Sequence, residues 1–131
     1  MFIDASALTA ILTSEQDARE LLARMQNSNE RLTSPLAIWE TTIAVARQLG
    51  LEIKDAQLAV EDFLKLVNVE VRAVPAEARD LAIDAYARYG KGRHPAALNF
   101  GDCFAYACAR AAKAPLLYKG DDFPQTDIET A

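Results

Sequence analysis

Asp4, Glu40, Asp102 and Asp121 are the residues of this chain best suited to chemistry, because each interrupts an otherwise uncharged or apolar stretch. Asp4 is the only acid among the first fourteen residues, Glu40 the only one between Arg31 and Leu51, and Asp102 the only one between Lys91 and Gly120. Carboxylates kept for solubility are not so solitary. An ionised carboxylate is costly to bury without compensating charge, and several brought together repel one another unless a divalent cation sits between them. Hard cations such as Mg²⁺ or Mn²⁺ take oxygen ligands and retain waters, needing only one or two carboxylates plus substrate phosphate. Two such ions roughly 3.5 to 4 Å apart stabilise both the attacking and the leaving oxygen of a displacement at phosphorus. The pattern points to a magnesium- or manganese-dependent phosphodiesterase centre.

Each acid also has a structural explanation when taken alone. Asp102 falls in the first turn of an expected helix, where the helix dipole favours an acid. Asp4 could start a turn or cap a helix, and Gly120, Asp121 and Asp122 could form a tight turn. Glu40 is harder to explain structurally: it projects from an apolar helical stripe with Leu36, Ile43 and Ala44, where only Arg47, two turns on, offers a partner. The metal reading rests on all four acids together. Other chemistries have less support. The single histidine, His94, lies in an expected loop before Pro95 with no serine triad around it. Cys103 and Cys108, five apart on an expected helix, point in different directions and read as reduced core residues.

These residues need elements to position them. Phe2 and Ile3 begin a short buried strand that delivers Asp4, and Ser6 is a possible cap for the helix that follows through Leu12. A second helix is expected over 15–27, where Ala18, Leu21, Leu22 and Met25 recur at helical spacing. Leu32 and Thr33 suggest a brief strand, and Ser34-Pro35 starts a helix that runs to Leu49 and stops at Gly50. A further amphipathic helix covers 54–67, a β-branched strand 69–74, and a helix opens at Pro75 and ends near Tyr89. Asn99 caps the helix carrying Asp102, Phe104, Tyr106 and Cys108, and Leu116 to Tyr118 form a last strand leading to Lys119, Gly120, Asp121 and Asp122. Strands alternating with helices imply an α/β fold with a mainly parallel sheet covered on both faces. Ligands bind such sheets beyond the carboxyl ends of the strands. Asp4 and Asp121 then become neighbours, and Glu40 and Asp102 approach the same crevice from the helices.

A chain of 131 residues, 51% hydrophobic and 25% charged, is a single globular domain spanning 1–131 with enough core to fold unaided. Only Met1, Phe2 and Ile3 precede Asp4, which offers no secretory leader, and no apolar run reaches membrane-spanning length, so the chain is expected in the cytoplasm with no membrane partner. A net charge of −5 excludes a broadly electropositive surface, so any polyanion must be held locally. Arg88, Lys91, Arg93 and His94, spaced by Gly90 and Gly92, form the one segment where positive charge collects without nearby acids. It reads equally well as a phosphate contact or as a solvated loop.

Taken together, Met1-Phe2-Ile3-Asp4-Ala5-Ser6, Ser34-Pro35-Leu36-Ala37-Ile38-Trp39-Glu40, Leu98-Asn99-Phe100-Gly101-Asp102-Cys103-Phe104-Ala105-Tyr106-Ala107 and Leu116-Leu117-Tyr118-Lys119-Gly120-Asp121-Asp122-Phe123 resemble the PIN-domain ribonucleases. More specifically they resemble the VapC-type toxins of toxin–antitoxin pairs, over essentially the whole chain. The resemblance implies a three-layer α/β/α fold, with Asp4, Glu40, Asp102 and Asp121 as metal-binding acids and Ser6 and Asn99 in support. Where many members have threonine or serine near the start of the last motif, this chain has Lys119. Asp122 could therefore replace Asp121 or share its role. The implied activity is metal-assisted hydrolysis of RNA phosphodiesters, with Lys91, Arg93 and Lys119 orienting the RNA backbone. The implied partners are a cognate VapB-like antitoxin and a second copy of the chain, with Leu8, Ile11, Leu21 and Leu22 as contact candidates unless they are core.

Two other readings are open to the sequence. An early aspartate and a late Gly-Asp-Asp also occur in haloacid-dehalogenase-type phosphatases, although those need a second acid where this chain has Ser6. A non-catalytic interaction module, whose acids only fix structure, is the other.

Overall fold

Side-chain alternation in four two-residue strands divides the core in two. A computed structural model describes all 131 residues. In it β1 (Phe2–Ile3) pairs in parallel with β2 (Leu32–Thr33) and β4 (Leu116–Leu117), and β2 pairs in parallel with β3 (Glu70–Val71), giving the order β3-β2-β1-β4. Successive residues of a strand face opposite sides of the sheet. Phe2, Leu32 and Leu116 accordingly enter one cluster, beneath α5 (Ala78–Tyr89) and α6 (Phe100–Ala111). Ile3 and Leu117 enter the other, among α1 (Ala5–Leu12), α2 (Ala18–Gln26), α3 (Pro35–Leu49) and α4 (Ile53–Leu66). The result is the expected three-layer α/β/α architecture with a wholly parallel sheet. Cys103 and Cys108 are buried free thiols, as expected, and burial raises both to about 11. No helix is long and apolar enough to cross a membrane.

Several boundaries differ from the sequence reading: the helix expected over 15–27 spans Ala18–Gln26, and the last strand stops at Leu117 rather than Tyr118. The helix expected to open at Pro75 begins at Ala78. The strand expected over 69–74 shrinks to Glu70–Val71, because its partner β2 lasts two residues before Ser34-Pro35 turns the chain into α3; the ladder ends with the Arg72 amide donating to the Thr33 carbonyl at 2.9 Å. The cap of α1 is Asp4 rather than Ser6: Asp4 is extended and its side chain accepts the Ser6 N–H. Ser6 instead bridges strand ends, its hydroxyl donating to the Asp4 carboxylate at 2.5 Å and accepting the Lys119 N–H at 3.0 Å.

Candidate metal centre

The first acid is fixed where β1 gives way to α1. The Asp4 amide donates to the Leu117 carbonyl at 2.9 Å, which locks the strand end to β4. Its carboxylate is 4% exposed and accepts from the Ser6 amide and hydroxyl. Burial raises the Asp4 pKa, and the Ser6 hydrogen bonds offset only part of that. This is the cost of desolvating an anion where no cation stands beside it.

Glu40 arrives from the second turn of α3, whose start is fixed by the Ser34 hydroxyl accepting the Ala37 N–H at 3.1 Å and by Pro35 in the first turn. Arg47 does not explain it, being exposed further along the helix. The carboxylate reaches across to α6 and lies over Gly101, where a Cβ would stand 2.4 Å from both of its oxygens. Any side chain there would push the carboxylate aside. Burial first, then the charges of Asp4 and Asp102, push Glu40 up to about 7.

Asp102 closes a capping box at the start of α6. Its carboxylate accepts the Asn99 N–H at 3.0 Å, and the Asn99 side chain accepts the Asp102 N–H at 2.9 Å. Burial raises Asp102 to about 6 against the pull of the Asn99 N–H, and the charges of Asp4 and Asp122 push in the same direction. Asp4, Glu40 and Asp102 therefore lie within each other's field, and a small cleft lined by Asp4, Ser34, Glu40, Gly101 and Phe104 joins β1, α3 and α6. From the turn after β4, Asp122 acts on this cluster. Asp121 and Asp122 are both exposed; Asp121 is not among the charges acting on Asp102, and its carbonyl accepts from the Gln125 amide.

The acids do not form a ready-made coordination cage, since no three acid, histidine or cysteine side chains are gathered tightly enough to hold an ion. Asp4 and Asp102 each commit one oxygen to an N–H donor. The second oxygen of each stays available. An all-oxygen donor set of acids pushed upward by burial and by one another fits a hard dication, whose charge would reverse both effects.

The basic residues separate. Lys91 and Arg93 are exposed, with the Arg93 guanidinium 5.9 Å above the Tyr86 ring. Arg88 is spent on Asp84 and Asp127. Lys119 binds Glu15 and lies 3.6 Å from Asp17, so its ammonium is committed to the α1–α2 loop. The sequence reading missed this pairing, which joins residues over a hundred positions apart. It also missed the seat that Gly101 provides for Glu40, although a glycine inside a helix start is the kind of signal that could have revealed it. Leu8 and Leu21, considered as partner contacts, are buried core residues; Ile11 and Leu22 pack against the same cluster.

The PIN domain model matches residues 1–129. The chain is 41% identical over 130 residues to VapC ribonuclease Mb0640 of Mycobacterium bovis, covering 99% of this chain and 97% of that protein. It is 42% identical over 128 residues to ribonuclease VapC of Mycolicibacterium smegmatis, covering 98% and 97%. The crystal structure of Mycobacterium tuberculosis VapC20, a sarcin–ricin loop cleaving toxin, superposes with a TM-score of 0.77 at 20% identity, covering 99% of this chain and 97% of that one.

Proposed function

The chain belongs to the PIN-domain family, and from that premise we propose that it is the VapC-type toxin of a toxin–antitoxin pair, an endoribonuclease working at the cluster of Asp4, Glu40 and Asp102. The observation that carries this reading is the convergence of three acids, distant in sequence, where β1, α3 and α6 meet: the charges of Asp4 and Asp102 raise Glu40, and that of Asp4 raises Asp102. Asp122 is the fourth acid in this proposal, because its charge reaches Asp102, and Asp121 shares the same turn.

A divalent ion held there, Mg²⁺ or Mn²⁺, supplies Lewis-acid activation of phosphate and water. The chain's own residues do the rest. Ser6 orients the Asp4 carboxylate and ties it to the exit of β4. Asn99 orients Asp102, and Gly101 admits Glu40. Lys91 and Arg93 meet the RNA backbone, whereas the ion pairs of Lys119 make it a brace for the α1–α2 loop rather than a phosphate ligand. A VapB-like antitoxin, a homodimer and residence in the cytoplasm complete the proposal. The phosphatase alternative lacks its second acid at Ser6, and the interaction-module alternative leaves the mutual repulsion of the acids without a purpose.

The test is RNA cleavage in Mg²⁺. Asp4→Asn and Asp102→Asn should each lose at least the roughly ten- to hundredfold that loss of an outer-shell partner costs, with circular dichroism unchanged. Wild-type rates in both variants would refute the assignment, and a phosphorylated aspartate would favour the phosphatase.

A further inference from the structure

The parallel ladder between β1 and β4 changes at its last rung, where a side chain takes the place of a carbonyl. The Phe2 amide donates to the Pro115 carbonyl at 2.8 Å and the Asp4 amide to the Leu117 carbonyl at 2.9 Å. By the even spacing of a parallel pair, the next donor is the Lys119 amide and the next acceptor the Asp4 carbonyl. That carbonyl already accepts the Ala7 and Leu8 amides, at 3.1 and 3.2 Å, as α1 begins. The Lys119 amide goes instead to the Ser6 hydroxyl at 3.0 Å, and the hydroxyl donates to the Asp4 carboxylate at 2.5 Å. Whatever fixes the backbone of Lys119 therefore fixes the hydroxyl that orients Asp4.

The side chain of Lys119 supplies that restraint. Its ammonium binds Glu15 and lies 3.6 Å from Asp17, both in the loop between α1 and α2. The loop is shaped around this contact. Ser14 is held at φ 55°, a left-handed conformation that serine seldom adopts, and the Glu15 amide returns to the Ala10 carbonyl at 2.9 Å. The Thr13 hydroxyl donates to the Glu15 oxygen that Lys119 leaves free, at 3.4 Å. Asp17 stands at the N-cap of α2, yet its side chain makes no capping hydrogen bond, forgoing the usual use of an aspartate there. Beyond Lys119, Gly120 at φ 104° turns the chain into the exposed Asp121 and Asp122. Lys119 is thus the anchor on the β4 side of the turn that carries the fourth acid.

We propose that Lys119 is a positioning residue of the metal centre: its ion pairs with Glu15 and Asp17 hold the exit of β4 where the Lys119 amide keeps Ser6 on Asp4 and the following turn presents Asp122 to Asp102. The inference rests on the metal-dependent ribonuclease reading and adds the α1–α2 loop to the parts on which the site depends. It carries a sign that separates it from simple electrostatics. An ammonium near a dication repels it, so by charge alone the loss of Lys119 tightens metal binding. Loss of a positioning contact loosens it.

Titration of metal-free protein with Mn²⁺, in the absence of RNA, tests this directly. Lys119→Met should weaken binding by about tenfold, the low end of what loss of an outer-shell partner costs, and Lys119→Arg, which keeps the ion pairs, should bind like the wild type. Glu15→Gln should also weaken binding, and the double variant Lys119→Met/Glu15→Gln should be little worse than either, because both changes remove the same pair. Without metal, amide hydrogen exchange at positions 6 and 119 should quicken in Lys119→Met and not in Lys119→Arg. In RNA cleavage the loss should fall on kcat, with KM near the wild-type value. Unchanged or tighter Mn²⁺ binding by Lys119→Met would overturn the inference alone, and a loss confined to KM would make the ammonium a phosphate ligand instead. Equal weakening in Lys119→Arg would also overturn it, since the ion pairs would not be the cause. Wild-type protein that neither bound Mn²⁺ nor cut RNA would remove the ribonuclease reading and this inference with it.

Discussion

Each acid of the cluster is held in an unfavourable electrostatic state, and that state has measurable consequences. Glu40 rises to about 7 and Asp102 to about 6, both above the ordinary carboxylate range. With folded values raised, the native state binds more protons than the unfolded chain. Metal-free protein should therefore lose stability as pH rises from about 4 through 7, and Mg²⁺ should restore it most strongly above pH 7. Thermal melts across that range, with and without the ion, would show the crossing. Glu40→Gln removes the same repulsion, so at pH 8 without metal it should melt at or above the wild-type temperature while losing activity. A structural acid would show the opposite. Gly101→Ala separates position from charge: its methyl group must displace the flexible Glu40 carboxylate rather than backbone. It should lower Mg²⁺-dependent cleavage by about tenfold or more at a stability cost below about 1.5 kcal/mol, as a mild core adjustment costs.

At the scale of elements, the site depends on how β1, α3, α6 and the turn after β4 begin and end. The capping box of α6 both starts a helix and aims Asp102. Asn99→Ala should cost about 1 kcal/mol in urea unfolding and also reduce cleavage, whereas Asn99→Asp should keep most of the stability. Much of this was legible in the sequence, because helix starts are local chemistry: Ser34-Pro35 and the Asn99–Asp102 spacing each announce a cap within four residues. Asp4 and Ser6 were legible as a pair but not in their roles. The acid takes the capping position because Ser6 is drawn to the Lys119 amide, a contact set by the pairing of β1 with β4. The strand over 69–74 was overread for the same reason: β propensity is local, whereas strand length is limited by the partner.

Across the whole molecule, two apolar layers hold the carboxyl ends of β1 and β4 together, and the chain's last residues close the side beneath α5 and α6. Asp127 accepts from the Tyr106 hydroxyl at 2.6 Å, from Arg110 at 2.7 Å and from Arg88 at 3.0 Å. Burial opposes its ionisation, but these three partners outweigh burial and hold it down at about 2. Its contribution should be complete above pH 4 and lost as pH falls through about 2. Because the pair is half exposed, Asp127→Ala should cost only about 1 kcal/mol by chemical denaturation, with much of that screened in high salt. Nothing local in the sequence marks this latch, since its partners lie on two helices, 17 to 39 residues earlier in the chain. The acid convergence was visible only as four solitary charges, and the sheet order turned it into a place. Isothermal titration of metal-free protein with Mn²⁺ at pH 7.5 tests that convergence most directly. The wild type should bind with proton release, and Asp4→Asn, Glu40→Gln and Asp102→Asn should each weaken binding by about tenfold or more. Equal affinity in all four proteins, or no binding by the wild type, would contradict a shared metal centre.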